Sequence, residues 1–244
     1  MKPFMRWLGL VVVAVLLLEL FFVVRIAAMS VIDPQSTAFQ RSEAWQLATT
    51  KGSLRWRQQW VPYAQLPVSL KRAVIASEDG DFINHDGVEW EAVEKAWQKN
   101  AKAEEQAAKR LQAAKAGAAR APKIVGGSTI SQQLAKNLML SGERTLLRKG
   151  QEFVLTLLLE AFLSKQRILE IYLNSVEWGE GVFGAEAAAQ HYFRKPAARL
   201  TAYESARLAV MLPRPKYFEK VPNSGYLSSR ASTIVSRMGD AELP

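Results

Sequence analysis

Apolar positions run almost without interruption from Trp7 to Ala28, WLGLVVVAVLLLELFFVVRIAA, broken only by Glu19 and Arg25. As a helix these residues would span ~33 Å, enough for the hydrocarbon core of a bilayer. Lys2 and Arg6 precede the run, a bias that favours a cytoplasmic N-terminus and an exported remainder. Trp7–Leu18 alone has the length of a signal-peptide core, but the run resumes through Leu20–Val24 and no small-x-small cleavage site follows, so the segment reads as an anchor. Glu19 is at odds with this setting. A carboxylate inside the bilayer costs about 2–3 kcal/mol unless it snorkels, pairs or sits protonated near the outer interface.

Beyond the anchor the pattern changes. Residues 30–66 read as a juxtamembrane segment with short strands, because SLRWRQQWVPY alternates bulky and polar groups between Pro34, Gly52, Pro62 and Pro67. Leu70, Val74 and Ile75 then recur at helical spacing, which predicts a helix over Val68–Asp79 starting at Pro67. A loop follows at GDFINHDG, and a second helical stretch starts near Glu89. Gly126-Gly127-Ser128 opens a helix running through Leu140. Further helices are predicted over Thr145–Leu163 and Gln166–Leu173. A glycine-rich turn (Gly179, Gly181, Gly184) precedes AEAAAQHYF, and Thr201-Ala202-Tyr203-Glu204 is a capping box for a helix that Pro213 stops. No internal repeat is visible, and the body reads as mainly α.

Composition narrows the picture. The 244 residues carry 32 Lys+Arg against 23 Asp+Glu, a formal charge of +9, with no cysteine. Disulfides and thiolate metal sites are excluded, while a core this apolar needs no staples in an oxidising compartment. Residues 95–123 hold eight basic and two acidic side chains, two-thirds of the surplus, in an Ala/Lys-rich setting around 98–122. Such a run reads first as a solvated helix or loop, and second as a segment drawn to anionic lipid. An exported domain meets no nucleic acid.

Three constellations carry chemistry. Glu78 and Asp79 are adjacent at a helix end, with His85 following; such a pair could supply a general base, although acids in a polar loop are more often simply solvated. In GGSTISQQLAKNLML, residues 126–140, two glycines and Ser/Thr at a helix start offer free N–H groups to an anion, and Lys136 adds a charge one turn further in. An ordinary capped amphipathic helix would look the same. In RTLLRKGQEFVLTLLLE, residues 144–160, Arg148 and Lys149 lie four and three residues before Glu152. This could be a surface ion pair worth about 0.3–0.5 kcal/mol, but Arg144, Arg148 and Lys149 together exceed what one pair requires and suit a phosphate clamp.

In this order the blocks resemble the family-51 peptidoglycan glycosyltransferases, in their monofunctional, membrane-anchored branch. The resemblance covers about residues 65–235. It rests on Glu78-Asp79…Phe82…His85-x-Gly87, on Gly127-Ser128-Thr129-Ile130-x-Gln132-Gln133-x-x-Lys136-Asn137, and on Arg148-Lys149-x-x-Glu152. RILEIYLN at 167–174 and GVFGAEAAAQHYF at 181–193 also fit. The implied fold is mainly α: a lysozyme-like helical glycosyltransferase domain with a smaller membrane-proximal lobe, preceded by one transmembrane helix. The implied layout is a cytoplasmic N-terminus at 1–6, the spanning helix at 7–28, the juxtamembrane segment at 29–66 and the transferase domain at 67–244, with the 98–122 stretch longer than the family's link.

The resemblance further implies polymerisation of lipid II into β-1,4-linked strands, with inversion and loss of undecaprenyl pyrophosphate, at a bacterial inner membrane with the catalytic domain periplasmic. By motif, Glu78 would be the general base and Glu152 a second essential acid near the donor phosphates or a divalent cation, Mg2+ or Mn2+. Lys136, Arg144, Arg148 and Lys149 would hold the pyrophosphate, helped by Ser128, Thr129, Gln132, Gln133 and Asn137. Lys95 stands where the family uses a basic side chain. Expected partners are lipid II, the growing strand, anionic lipids, and cell-wall synthesis and division proteins. No Ser-x-x-Lys or Lys-Thr-Gly occurs, so transpeptidase chemistry is not expected. Two alternatives stay open: a lysozyme-like hydrolase using two carboxylates, and a non-catalytic membrane scaffold.

Overall fold

The structure, a computed structural model, describes residues 2–91, 94, 98, 101–103, 105, 127–140 and 145–244. Helix α1, Lys2–Ala28, contains the apolar run and begins five residues before Trp7. Its stretch Pro3–Ala28 is long and apolar enough to cross a membrane. Most of α1 is exposed, but Phe22, Ile26 and Met29 at its end are buried in the core of the body. The end of α1 is therefore packed onto the helical body.

The segment after α1 departs from the strand expectation. Residues Ala38–Lys51 form helix α2, opened by a capping box in which Thr37 Oγ1 accepts from Gln40 N and Gln40 Oε1 accepts from Thr37 N. Thr37-x-x-Gln40 is the signal that the alternation in SLRWRQQWVPY obscured. Those later residues give only an isolated bridge, where Arg57 N donates to Gly181 O and Phe183 N donates to Arg57 O. The bridge extends a small antiparallel hairpin, β1 Glu177–Gly179 and β2 Val182–Phe183, where the sequence suggested only a turn. Gly181 has φ +71°, and a Cβ there would meet Arg55 O at 2.3 Å, so only glycine fits under the crossing chain.

Helix α3, Val68–Glu78, begins after Pro67 as its spacing predicts and buries Leu70, Ala73, Val74 and Ile75. Residues 90, 91, 94, 98, 101–103 and 105 are helical. Lys95 and the rest of the 98–122 stretch lie outside the described residues. Helices α4 (Ile130–Met139), α5 (Leu146–Phe162) and α6 (Lys165–Ser175) follow. From Ile168 to Ser175 in α6 every residue but the half-buried Glu170 is buried, which makes this helix the central strut. Its Asn174 accepts from Val61 N at 2.8 Å and donates to Val61 O at 2.9 Å, pinning the incoming chain to the core. Helices α7 (Ala185–Phe193), α8 (Ala202–Met211), α9 (Pro215–Lys220) and α10 (Gly225–Arg237) complete the body. Helix α3 packs against α8 and α10, whereas α4 packs against α2, α5 and α6, and α5 packs against α1. The mainly α architecture is thus a helical body with a smaller group of helices at its membrane anchor, and the site lies where the two meet.

Candidate active site

Two helices and a loop converge on the site. At the end of α3, Glu78 is half-buried and its Oε2 accepts from Gln133 Nε2 at 3.0 Å. Gln133 is itself held by the wholly buried Tyr172, whose hydroxyl donates to Gln133 Oε1 at 2.9 Å. The relay Tyr172–Gln133–Glu78 aims the carboxylate from α6 through α4. Burial pushes the Glu78 pKa above its ordinary value and the charge of Asp79 adds to that, while hydrogen bonds from Gln133 and Ser77 oppose it.

Asp79 does a different job from its neighbour. It is buried, with Oδ1 2.8 Å from His85 Nε2 and Oδ2 accepting from Ile130 N at 2.9 Å. His85 Nδ1 accepts from Gly87 N at 3.1 Å, so Nε2 carries the proton toward Asp79. Burial disfavours charge on His85, yet the Asp79 hydrogen bond and charge outweigh it and raise its pKa. Thr129 Oγ1 donates to Gly87 O at 2.6 Å while accepting from Gln132 N. Gly87 has φ +84°, and a Cβ there would lie 2.7 Å from Thr156 Cγ2, so the loop can press against α5 only with glycine at this position.

These bonds correct one expectation. The start of α4 is no open anion site: its first N–H goes to Asp79, its third to Thr129, and Thr129 is buried as a helix cap. Two small residues at a helix start could not reveal that a carboxylate 51 positions away would already occupy it.

The cavity lies one turn along α4. It has a volume of about 370 Å³ and is lined by Ser128, Gln132, Gln133, Lys136 and Asn137 together with Arg148, Lys149 and Glu152 of α5. Phe39 of α2 and Leu140 add apolar wall; neither was singled out in the sequence, and only the Thr37–Gln40 capping box could have pointed to Phe39. Glu78 is not part of the lining and reaches it through Gln133. Arg144 lies outside the described residues.

Glu152 is 3% exposed. Arg148 Nη1 donates to its Oε2 at 2.9 Å, and Lys149 Nζ donates to its Oε1. Arg148 Nε is buried with no hydrogen-bond partner among the described residues, a donor that an incoming oxygen acceptor would satisfy. Lys136, Arg148 and Lys149 on this wall outnumber Glu152, so the cavity carries an excess of positive charge suited to a polyanion.

A helical body on an apolar anchor, with a cation-lined cavity beside a half-buried carboxylate, fits the class of enzymes that handle phosphorylated, lipid-borne substrates. The comparisons with known proteins make the class specific. A family model described as "Transglycosylase" matches residues 46–239. Curated relatives named "Biosynthetic peptidoglycan transglycosylase" include one from Burkholderia thailandensis, 54% identical over 243 residues, covering 98% of this chain and 88% of the relative. One from Burkholderia pseudomallei is 52% identical with the same coverage, and one from Paraburkholderia xenovorans is 48% identical over 241 residues, covering 98% and 93%. The chain belongs to the transglycosylase family, and it is a peptidoglycan glycosyltransferase of cell-wall synthesis with a lysozyme-like helical domain.

Proposed function

We propose that the enzyme polymerises lipid II by direct displacement with Glu78 as general base and the Lys136–Arg148–Lys149 wall as the diphosphate site. The acceptor 4-hydroxyl gives its proton to Glu78, and its oxygen electron pair forms the new β-1,4 bond to the anomeric carbon of the donor. The bond from that carbon to the diphosphate oxygen breaks, and undecaprenyl pyrophosphate leaves with the electron pair. Inversion follows from attack opposite the leaving group.

The observation that carries this reading is the doubly paired Glu152 on a cavity wall whose cations exceed its charge. A leaving diphosphate needs its charge absorbed more than it needs a proton, and fixed cations in a partly closed cavity do this without reorganising. The raised pKa of Glu78 makes it a stronger base than an ordinary carboxylate. Ser128, Gln132, Gln133 and Asn137 add hydrogen-bonding groups along the cavity. Thr129 serves by capping α4, and Arg144 is assigned to the diphosphate by motif alone.

Among the described residues the side chains present favour neutralising the diphosphate with Arg and Lys over a protein-held Mg2+ or Mn2+. Both oxygens of Glu152 are engaged by cations, and among the described residues no three His, Cys, Asp or Glu side chains converge. The donor set fits a diphosphate neutralised by Arg and Lys.

A lysozyme-like hydrolase would use Glu78 as general acid, but a neutral glycan offers nothing for the cations to bind. Lys2 and Arg6, ahead of the apolar run within α1, support an N-terminus in the cytoplasm and a catalytic domain outside the inner membrane. There it would meet anionic lipid and the proteins of wall synthesis and division. Purified full-length protein incubated with lipid II tests the reading. Polymer plus free lipid pyrophosphate is expected, and cleavage of finished strands without polymer would replace the transferase by the hydrolase.

A further inference from the structure

Glu19 is the one acidic residue inside the spanning run, and the proposed chemistry makes no use of it. The structure gives it a partner: Glu19 Oε1 accepts from Gln151 Nε2 at 2.9 Å, across 132 positions of sequence. The second oxygen, Oε2, is buried with no hydrogen-bond partner among the described residues. Gln151 belongs to the turn of α5 that carries Arg148, Lys149 and Glu152.

The inner face of that turn is held by the Thr145 cap and the Arg148 and Lys149 pairs to Glu152, whereas its outer face is thinly covered. Gly150 is the weakest helix former among ordinary residues, and no atom lies within 4 Å of where its Cβ would stand. Leu147 and Val154 on the outer face are exposed. Apolar side chains in lipid gain no hydrophobic drive toward one another, so helices there are held by close packing and by interhelical hydrogen bonds, and the Glu19–Gln151 bond adds a specific fastening to the packing of α1 on α5. The other fastenings of α1 lie lower: Ile26 is buried in the core, and Arg167 donates to Met29 O at 2.8 Å and to Asp33 Oδ1 at 2.7 Å.

We propose that Glu19 is a positioning residue of the transferase: from inside the membrane-spanning helix it fixes the turn of α5 that presents Arg148 and Lys149 to the diphosphate. This rests on the assignment of that cavity to the donor diphosphate and extends it into the bilayer. Rate and affinity at such a site are steep functions of placement, about 100-fold for a displacement near 1 Å.

The test uses full-length protein in lipid vesicles with lipid II as donor, measuring KM, kcat and melting temperature. Glu19→Leu removes the acceptor while inserting readily into lipid. It is expected to raise KM about tenfold with the melting temperature unchanged or higher. Glu19→Gln retains an acceptor oxygen for Gln151 and is expected to keep the native KM. Gln151→Leu should match Glu19→Leu, and the double variant should be no worse than either. A native KM for Glu19→Leu, a Glu19→Gln as impaired as Glu19→Leu, or additive losses in the double variant would overturn the proposal. Should Glu19→Leu fail to accumulate, the absence of native cysteine allows Glu19→Cys/Gln151→Cys to be joined by a short thiol cross-linker. Cross-linked enzyme with native KM supports the proposal; no cross-link, or a linked enzyme with raised KM, overturns it. Arg148→Met in the same assay separates the two layers: unaltered KM there would refute the diphosphate site itself, whereas raised KM there with native KM for Glu19→Leu would refute only the role of Glu19.

Discussion

Replacing Arg148 by methionine separates what the cation cluster does for the fold from what it does for the reaction. Glu152 is 3% exposed and has two cationic partners, Arg148 at 2.9 Å and Lys149. Stranding a buried charge costs about 3–5 kcal/mol when no partner remains. Lys149 remains, so the loss is expected at about 2 kcal/mol, or roughly 4–8 °C in melting temperature for a domain of this size. The substrate loses one charge-assisted contact, about 1.5–3 kcal/mol, and kcat/KM should therefore fall roughly 10- to 100-fold. Adding Glu152→Gln removes the stranded charge. The double variant should regain most of the lost melting temperature, because both ends of the ion pair are gone, yet polymerise no better than Arg148→Met. Thermal melts and a fluorescent lipid II polymerisation assay on the same samples read both quantities. The reasoning fails if Arg148→Met keeps kcat/KM within twofold of native, or if polymerisation returns together with stability in the double variant.

Two further outcomes follow from titrating groups. Gln133 hydrogen-bonds the Glu78 carboxylate and so opposes the rise that burial imposes on its pKa; Gln133→Leu should move the acid limb of the kcat/KM profile to higher pH, and an unshifted limb would remove Glu78 from the role of base. Away from the site, burial raises Glu177 to about 7, opposed by Lys216 and helped by Glu43 and Glu219. A carboxyl raised in the folded state contributes stability that is fully present below its ordinary value of 4.5 and lost as pH rises through about 7. The difference corresponds to about 3 kcal/mol, so the melting temperature should decline across that window in the native protein. It should decline less in Glu177→Gln, and equal slopes in the two proteins would contradict this.

The catalytic blocks were legible as a set because each combines unusual residue types at fixed spacing: Glu78-Asp79 before His85, Gln132-Gln133 before Lys136, Arg148-Lys149 before Glu152. Helices α3, α4 and α5 are legible from apolar spacing and caps, and so are the polar residues of the cavity wall, though not Phe39 or Leu140. What could not be read is how the blocks meet. The Gln133–Glu78 bond joins positions 55 apart and the Asp79–Ile130 bond positions 51 apart, and neither local propensity nor periodicity encodes such pairings. Thr129 shows the consequence: a hydroxyl at a helix start suits a phosphate or a cap equally well, and only the arrival of Asp79 and Gly87 decides between them. Helix α2 is hard to read because the alternation after it outweighs the capping box before it, and Phe39 of the cavity wall is hidden with it. Glu19 was recognised as anomalous, but its partner lies on a helix whose distance in sequence hides the contact.

The central claim is that Glu78 removes a proton while the Lys136–Arg148–Lys149 wall holds the diphosphate, so that binding and chemistry reside on different residues. Glu78→Gln tests it most directly, with lipid II binding and single-turnover release of undecaprenyl pyrophosphate measured on the same preparation. The account predicts native donor affinity and a rate of release at least 100-fold below native, the lower end of what a positioned base contributes. Release by Glu78→Gln at close to the native rate would contradict it.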